Sequence, residues 1–361
     1  MIQAISARRH YPALDGLRGI AILLVVIYHN FGFVNYFFFG WLGVDLFFVI
    51  SGFLITNILL DTVANRNYLK NFYSRRILRI FPLYYLSFLI CLIIIESFNL
   101  DGTEYYVKNQ LWFWTYLQNW LFIFKLPSDN LLVHFWSLAV EEQFYLVWPF
   151  IILWLKVPRK LFIIVTGVLL IVVSCRFLIW TYKIEKISYF SLYTFTRIDG
   201  ICVGCMVALI MRFKQNFLKH YSAVIVLILA GFNFLFYFFN SQYEFTFPYL
   251  AMIGYTTFAV ILGLLVYETT TANTKIINIL LSIPLLKFFG KISYGFYIFH
   301  WPVYILANPF LKRIVLLLFK TSPVIAQIFS SVIATGMAVL ISFLSYKYFE
   351  SYFLKLKGRF T

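Results

Sequence analysis

Long apolar runs, separated by short polar and basic segments, recur along the whole sequence of 361 residues. An apolar run of roughly 18 or more residues is long enough to cross a bilayer as an α-helix. The pattern therefore predicts an all-α fold, a polytopic transmembrane helix bundle that forms one membrane domain over residues 1–361. About ten spans are predicted, near residues 13–35, 42–60, 77–97, 137–155, 161–180, 197–211, 222–240, 248–267, 291–310 and 323–346.

One further apolar stretch, at residues 112–124, is too short and too rich in Trp and Tyr to be counted as a span. Such a segment suits a re-entrant or an interfacial position. The chain shows no internal sequence repeat, which disfavours a transporter built from inverted repeats.

The composition indicates a membrane protein rather than a nucleic-acid-binding one. Hydrophobic residues make up 62% of the chain and charged residues 12%, about half the charged share of a soluble domain. The net charge of +16 comes from lysines and arginines in short clusters between the apolar runs, as in cytoplasmic loops. We therefore expect membrane lipid, and no nucleic acid, around this chain.

The distribution of lysine and arginine predicts the orientation. With the N-terminus inside, twenty of the thirty lie on the inner side, seven on the outer side and three within spans. Both termini are then cytoplasmic, including a basic tail at about 347–361, and the first helix is uncleaved because no small-residue cleavage site follows it. We expect a multi-pass protein of the cell (inner) membrane. The outer-side cluster Lys312, Arg313 and Lys320 breaks the charge rule at the last two spans.

Ionisable side chains inside an apolar span are costly and usually mark function. In the first span Arg18 and His29 are eleven residues apart, so both project from one helical face, about 16 Å apart along the axis. A neutral histidine in the outer half could accept a proton from a hydroxyl group if another group orients its ring. The same histidine could instead only hydrogen-bond a neighbouring helix, and Asp15 could pair with Arg18.

The second span begins GWLGVDLFFVISGF and carries an acidic residue, Asp45, at the predicted depth of His29. Asp45 could orient His29 or cap its own helix. Gly43 and Gly52 in this segment would let another helix approach closely.

The fourth span begins HFWSLAVEEQFYLVWP, with two adjacent carboxylates, again at the predicted depth of His29. Glu141 and Glu142 are about 100° apart on a helix and cannot share one role. Ser137 shares a face with Glu141. The alternative to a catalytic or substrate-binding role is charge complementation at a helix start.

The third span opens with YSRRILRIFP, which places Arg75, Arg76 and Arg79 at the cytoplasmic surface. Guanidinium groups bind phosphates in a bidentate fork, which suits a nucleotide-bearing donor such as coenzyme A. Positive-inside anchoring is the alternative interpretation.

Two later segments carry polar residues within spans. Arg197 and Asp199 could pair in TRIDG, with a structural or a substrate-binding role. A polar stripe at helical spacing could line a substrate channel or hold two helices together, and it comprises Ser293, Tyr297, His300 and Tyr304.

The cysteines and histidines do not suggest a metal site. Cys202 and Cys205 form a C-x-x-C without a matching pair, which favours packing, and the five histidines are scattered without i, i+4 pairing.

Six segments together resemble the acyltransferase-3 family of membrane acyltransferases. They are the Arg-x10-His element from Arg18 to His29, FFVISGFL at 47–54, RRILRIFP at 75–82, WSLAVEEQFYLVWP at 136–149, RIDG at 197–200 and SYGFYIFHWP at 293–302. The resemblance implies a helix bundle that takes an acyl group, most often acetyl, from cytoplasmic acyl-coenzyme A to a hydroxyl of a cell-surface or exported glycan.

The resemblance also implies roles for individual residues. It makes His29 the catalytic histidine, Glu141 and then Glu142 the motif glutamate, and it makes the paired arginines essential, here Arg18, Arg75, Arg76 and Arg79. The chain resembles members without a C-terminal esterase-like domain, so the chemistry would finish in the membrane domain or with a separate periplasmic partner.

The expected mechanism has acetyl-CoA docked by its phosphates on these arginines, while His29, oriented by Glu141 or Asp45, accepts the proton of a sugar hydroxyl. No nucleophile-elbow motif points to an acyl-enzyme, so direct transfer is expected. The alternative functions are a transporter or flippase of a glycan, which would move its substrate unchanged, and a non-catalytic scaffold or sensor.

Overall fold

The structure, a computed structural model, describes residues 11–98, 103–127, 131–182, 192–242, 249–271 and 275–360. Four residues that enter the charge count, Arg8, Arg9, Lys183 and Lys186, lie outside these ranges, as does the first residue of the span predicted at 248–267. Within the described residues the chain is helical and contains no β-strand, which confirms the all-α prediction.

Fifteen α-helices are present in the described ranges. They are α1 (Pro12–Asn30), α2 (Leu42–Thr62), α3 (Tyr68–Ser97), α4 (Thr103–Trp114), α5 (Gln118–Phe124), α6 (Trp136–Leu155), α7 (Pro158–Thr181), α8 (Thr194–Arg197), α9 (Asp199–Phe213), α10 (Gln215–Gln242), α11 (Tyr255–Thr271), α12 (Lys275–Leu281), α13 (Pro284–Phe319), α14 (Pro323–Ser345) and α15 (Ser351–Leu356). Shorter 3-10 or π turns occur at Asn35–Trp41, Val133–Phe135, Leu250–Gly254, Tyr346–Glu350 and Lys357–Arg359.

Proline sets the start of several of these helices. Its fixed φ and missing N–H suit the first turn, where the N–H has no helical partner. Four of the long helices begin in this way, at Pro12, Pro158, Pro284 and Pro323.

Nine helical segments in the described part of the chain are long and apolar enough to cross a membrane. Each overlaps one of the ten predicted spans, and together they are Ala13–Asn30, Asn35–Thr62, Tyr68–Ser97, Val133–Leu155, Pro158–Thr181, Phe217–Phe239, Met252–Thr271, Pro284–Phe319 and Pro323–Arg359.

The exception is the span predicted at 197–211. It corresponds to α9, which has 15 residues and is therefore about 22 Å long, shorter than the roughly 30 Å hydrocarbon core. Helix α9 packs against α2, α7 and α11, and most of its side chains are buried. A helix enclosed by neighbours does not face lipid along its length. Its apolar side chains pack against other helices, so hydropathy alone wrongly predicted a separate membrane span.

The aromatic stretch at 112–124 forms the end of α4 and all of α5, and neither helix is long enough to span a bilayer. The two helices meet at Tyr116, whose φ of 56° is in the left-handed region. Their rings pack on α3, with centroids 4.2 Å apart for Tyr84 and Tyr116 and 5.0 Å apart for Phe88 and Phe113. The stretch therefore covers one side of α3.

Glycines bring the central helices α1, α2, α9 and α13 into backbone contact. A Cβ on Gly52 would lie 2.0 Å from the carbonyl oxygen of Ile201 in α9. A Cβ on Gly43 would lie 2.3 Å from the carbonyl oxygen of Ala21 in α1. These contacts confirm the close helix approach predicted at both glycines.

Helix α13 is unusually long for one membrane crossing. Its 36 residues extend for about 54 Å, so the helix must tilt or project beyond the hydrocarbon core. Lys312 and Arg313 lie in its second half, and Lys320 follows its last residue.

Candidate active site

A cavity opens between α1, α2, α3, α6 and α13. Along α2 its lining runs from Val44 to Leu54, ten residues or about 15 Å of helix. The cavity brings together seven of the predicted site residues, namely Arg18, Arg76, Arg79, Ser137, Glu141, Glu142 and Tyr297. The other six predicted residues do not line it, and they are His29, Asp45, Arg75, Arg197, Asp199 and His300.

Three guanidinium groups line one part of the cavity. Arg18 is paired with Asp15 at 2.9 Å, and Arg76 lies over the ring of Tyr145 with its Cζ 4.7 Å from the ring centroid. Arg79 makes no hydrogen bond or ion pair with the described residues. Guanidinium groups inside a largely apolar cavity are suited to bind phosphate groups in a bidentate manner.

The fourth predicted arginine has a different environment. Arg75 donates from Nε to the backbone carbonyl of Phe360 and does not line the cavity. Helical spacing does not separate Arg75 from these residues, because Arg75 is four residues from Arg79, about 40° around the helix; its contact with Phe360 does. The prediction that Arg75 belongs with the cavity arginines is therefore not supported by its position.

The two glutamates of α6 lie in the same cavity as the arginines. The sequence had predicted that they would lie beside His29 instead. Glu141 lies within hydrogen-bonding reach of Ser51 and Tyr145, which also contact each other. Oε1 of Glu142 is buried and has no hydrogen-bond partner within the described chain. The carboxylates offset part of the positive charge, and each faces different neighbours, as their angular separation on α6 requires.

The other end of the cavity carries hydroxyl groups. The hydroxyl of Tyr297 lies 2.5 Å from Oγ of Ser137 and 2.8 Å from the carbonyl oxygen of His134. The ring of Tyr297 also contacts the ring of His300, with centroids 5.7 Å apart. Tyr297 is therefore the boundary between the cavity and a group of histidines.

Three of the five histidines form a cluster beyond Tyr297. Nδ1 of His29 lies 2.9 Å from Nε2 of His300, and the rings of His300 and His134 have centroids 5.2 Å apart. The sequence suggested scattered histidines because His29 and His300 are 271 residues apart. No group of histidine, cysteine, aspartate or glutamate in the described ranges has an arrangement that could hold a metal ion.

The partner of His29 differs from the one expected. The sequence suggested that Glu141 or Asp45 would orient its ring, but the ring bonds to His300 and is flanked by Trp301 and Tyr28. His29 is partly exposed, and it lies beyond the outer end of the cavity, since Tyr297 and not His29 forms the lining there.

Asp45 instead belongs to one of two buried ion pairs, which join α2 to α8 and α7 to α9. Asp45 bonds Arg197 at 2.5 Å, and Asp199 bonds Arg176 at 2.7 Å. Arg197 also lies over the ring of Tyr255, 3.9 Å from its centroid. The TRIDG segment had suggested that Arg197 and Asp199 pair with each other. Each pairs with another residue instead, and neither lines the cavity.

Comparison with known proteins shows the family of this chain. The family model for the acyltransferase-3 family, described as an acyltransferase domain, matches residues 11–347. The chain belongs to this family. No solved structure matches it.

Relatives of this acyltransferase-3 chain have longer sequences. Peptidoglycan O-acetyltransferase OatA of Listeria monocytogenes is 32% identical over an alignment 369 residues long, which covers 96% of this chain and 56% of the relative. O-acetyltransferase OatA of Staphylococcus aureus is 29% identical over 338 residues, which cover 86% of this chain and 53% of the relative. The chain thus spans about half the length of the curated relatives it matches.

Sequence reasoning missed three polar residues that this acyltransferase-3 chain places in or next to the site. Ser51 and Tyr145 line the cavity, and His134 belongs to the histidine cluster. His134 stands two residues before the WSLAVEEQ motif, and that proximity was the available signal.

Proposed function

We propose that this chain is a membrane O-acyltransferase that moves an acetyl group from cytoplasmic acetyl-CoA to a hydroxyl of a cell-surface or exported glycan. Membership of an acyltransferase family supports the reaction class, and relatives named for peptidoglycan O-acetylation support acetyl as the group and a glycan as the acceptor. The protein would lie in the cell (inner) membrane with both termini in the cytoplasm.

The observation that carries the proposal is the cavity with arginines in one part and histidines just beyond its other end. Arg18 and His29 lie on the same helix, eleven residues or about 16 Å apart. A donor whose phosphates bind at Arg18, Arg76 and Arg79 would need a thin flexible arm to carry its thioester toward Tyr297. The pantetheine arm of coenzyme A has this form.

The residues present fit such a donor. Arg79 makes no hydrogen bond or ion pair within the described residues, so its N–H groups can donate to a phosphate. Ser137, Ser293 and Tyr297 offer hydroxyl groups along the path of the arm. The apolar lining from Phe47, Phe48 and Leu54 excludes bulk water, which protects a thioester from hydrolysis.

The chemistry assigned to His29 is general-base catalysis. The glycan hydroxyl oxygen forms a bond to the thioester carbonyl carbon, and its proton passes to the imidazole of His29. The carbon–sulfur bond then breaks, and the leaving sulfur takes the proton, so that coenzyme A departs as the thiol. Direct transfer of this kind needs no serine or cysteine intermediate.

The acceptor would approach from the outer side, close to the histidine cluster. Tyr28 and Trp301 flank His29, Tyr304 stacks on Trp301, and all three rings are partly accessible, which suits stacking against sugar faces. A separate periplasmic partner would deliver the acetyl group to a distant polymer.

The experiment uses purified protein reconstituted in liposomes, with acetyl-CoA outside or inside and soluble peptidoglycan fragments as the acceptor. Mass spectrometry should detect an acetyl ester on the fragments for the wild type and only a small residual amount for His29→Ala. His220→Ala, in α10 and outside the site, is the matched control and should retain the wild-type rate. Glycan movement without a new ester would identify a transporter or flippase instead, and no binding of acetyl-CoA would indicate a scaffold or sensor.

A further inference from the structure

His300 lies in α13, one helical turn beyond the cavity residue Tyr297, and is fully buried. Its Nδ1 lies 2.7 Å from the carbonyl oxygen of Tyr297 and 3.1 Å from that of Phe296. A carbonyl oxygen can only accept a hydrogen bond, so Nδ1 of His300 is the nitrogen that carries a proton. A neutral imidazole has one N–H, so Nε2 of His300 is an acceptor.

The acceptor nitrogen of His300 faces His29. Nε2 of His300 lies 2.9 Å from Nδ1 of His29, so Nδ1 of His29 must be the donor in this bond. In neutral His29 the proton then sits on Nδ1, and Nε2 is left with a free lone pair. That nitrogen is the one able to take a proton from a hydroxyl group.

We infer that His300 is a positioning residue, which fixes both the tautomer and the ring orientation of His29. The inference rests on the proposed function, in which His29 accepts the proton of the acceptor hydroxyl. The rings of Trp301 and Tyr28, with centroids 5.0 and 5.2 Å from that of His29, restrict rotation on two further sides. His300 thereby orients a base as a carboxylate often does in soluble enzymes, but without adding a charge inside the membrane.

The backbone carbonyls make this arrangement one-directional. Because the Nδ1 proton of His300 is held by the carbonyl oxygens of its own helix, His300 cannot easily reverse its tautomer and donate to His29. The order from carbonyl to His300 to His29 is set by the i, i+3 geometry of α13 and the contact between α13 and α1.

The test compares two substitutions at position 300. His300→Leu keeps an apolar side chain of moderate size but removes the acceptor, whereas His300→Gln places an amide oxygen near the position of Nε2. We expect His300→Leu to lower kcat strongly, up to the roughly 10²- to 10⁴-fold that general-base catalysis contributes, with KM for acetyl-CoA unchanged. His300→Gln should retain kcat within about tenfold of the wild type, because it keeps a neutral hydrogen bond worth about 1 kcal/mol.

A double-variant cycle separates positioning from packing. In the His29→Ala background, His300→Leu should cause no further loss of the residual rate, because a residue that acts through His29 has nothing left to orient. An equal fractional loss in both backgrounds, or an equal loss for Leu and Gln at position 300, would overturn the inference. Size-exclusion profiles in detergent establish that each variant is folded, and His220→Leu is the matched control.

The same measurements distinguish the two levels of the proposal. If the wild type forms no ester from acetyl-CoA, or His29→Ala acetylates at the wild-type rate, then the proposed function or the proposed base is wrong, and the positioning role is wrong with it. If His29→Ala is inactive while His300→Leu keeps the wild-type kcat, the positioning role alone is wrong.

Discussion

Arg75 and Arg79 are the most informative pair for testing how the donor binds, because one turn of α3 gives them opposite environments. Arg79 lines the cavity without a protein partner in the described chain, whereas Arg75 donates to the carbonyl of Phe360 outside the cavity. Substituting either by glutamine removes one positive charge from the same helix. The two variants therefore differ in location and hardly at all in net charge or helix propensity.

The expected magnitude follows from the bond that is lost. A hydrogen bond to a charged group contributes about 1.5–3 kcal/mol, so Arg79→Gln should weaken coenzyme A binding roughly 10- to 150-fold. Arg18 is already paired with Asp15 at 2.9 Å, so Arg18→Gln should cost less than Arg79→Gln. Arg75→Gln should change Kd by about twofold at most, because a substitution away from the site usually changes the free energy by no more than about 0.5 kcal/mol.

The assay is isothermal titration of coenzyme A into purified protein in detergent. Binding should weaken with added salt for the wild type, and this salt dependence should be smaller for Arg79→Gln than for Arg75→Gln, because a phosphate contact is screened by ions. Equal loss of affinity in the two variants would mean that the arginines act through general positive charge. No loss in Arg79→Gln would mean that the phosphates do not bind in this cavity.

Three further predictions concern stability and topology. Arg197→Leu leaves Asp45 buried without its cation and should lower the free energy of unfolding by about 3–5 kcal/mol, and a second change, Asp45→Leu, should restore part of that loss. Thermal unfolding in detergent measures both variants, and a double variant as unstable as the sum of the two single variants would refute the pairing. Gly52→Ala should abolish the folded peak in size-exclusion chromatography because its Cβ would lie 2.0 Å from a backbone oxygen, whereas Gly336→Ala, which has nothing within 4 Å, should behave as the wild type. A reporter fused after residue 360 should be active only if it is of the kind that works in the cytoplasm, and activity of an export-dependent reporter there would overturn the predicted orientation.

The helical architecture could be read from the chain alone because lipid responds to a local property. Runs such as those of α7 and α14 are apolar over more than 18 residues, and no other fold satisfies so long a backbone in hydrocarbon. The same reasoning failed for α9. This short helix is enclosed by α2, α7 and α11, so its apolar side chains pack against other helices rather than against lipid.

Part of the site was also accessible from sequence. The cost of a charge inside a membrane identified Arg18, Glu141 and Glu142, and the chemistry of phosphate binding pointed to Arg76 and Arg79 at the cytoplasmic surface; the structure places all five around one cavity. Depth was the weaker inference, since Glu141 and Glu142 were expected beside His29 and lie among the arginines instead. Helix tilt changes the depth at which residues meet, and tilt depends on packing rather than on hydropathy.

By itself, then, the sequence determined a helical membrane protein with ionisable groups held inside it, because hydropathy and charge act on each segment separately. The tertiary structure alone decided which of those groups meet: His29 with His300, Asp45 with Arg197, and Arg75 with the carbonyl of Phe360 rather than with the cavity. These partners are 152 to 285 residues apart in the chain. Their contacts depend on the rotation and close packing of glycine-lined helices, and no local pattern in the chain encodes that arrangement directly.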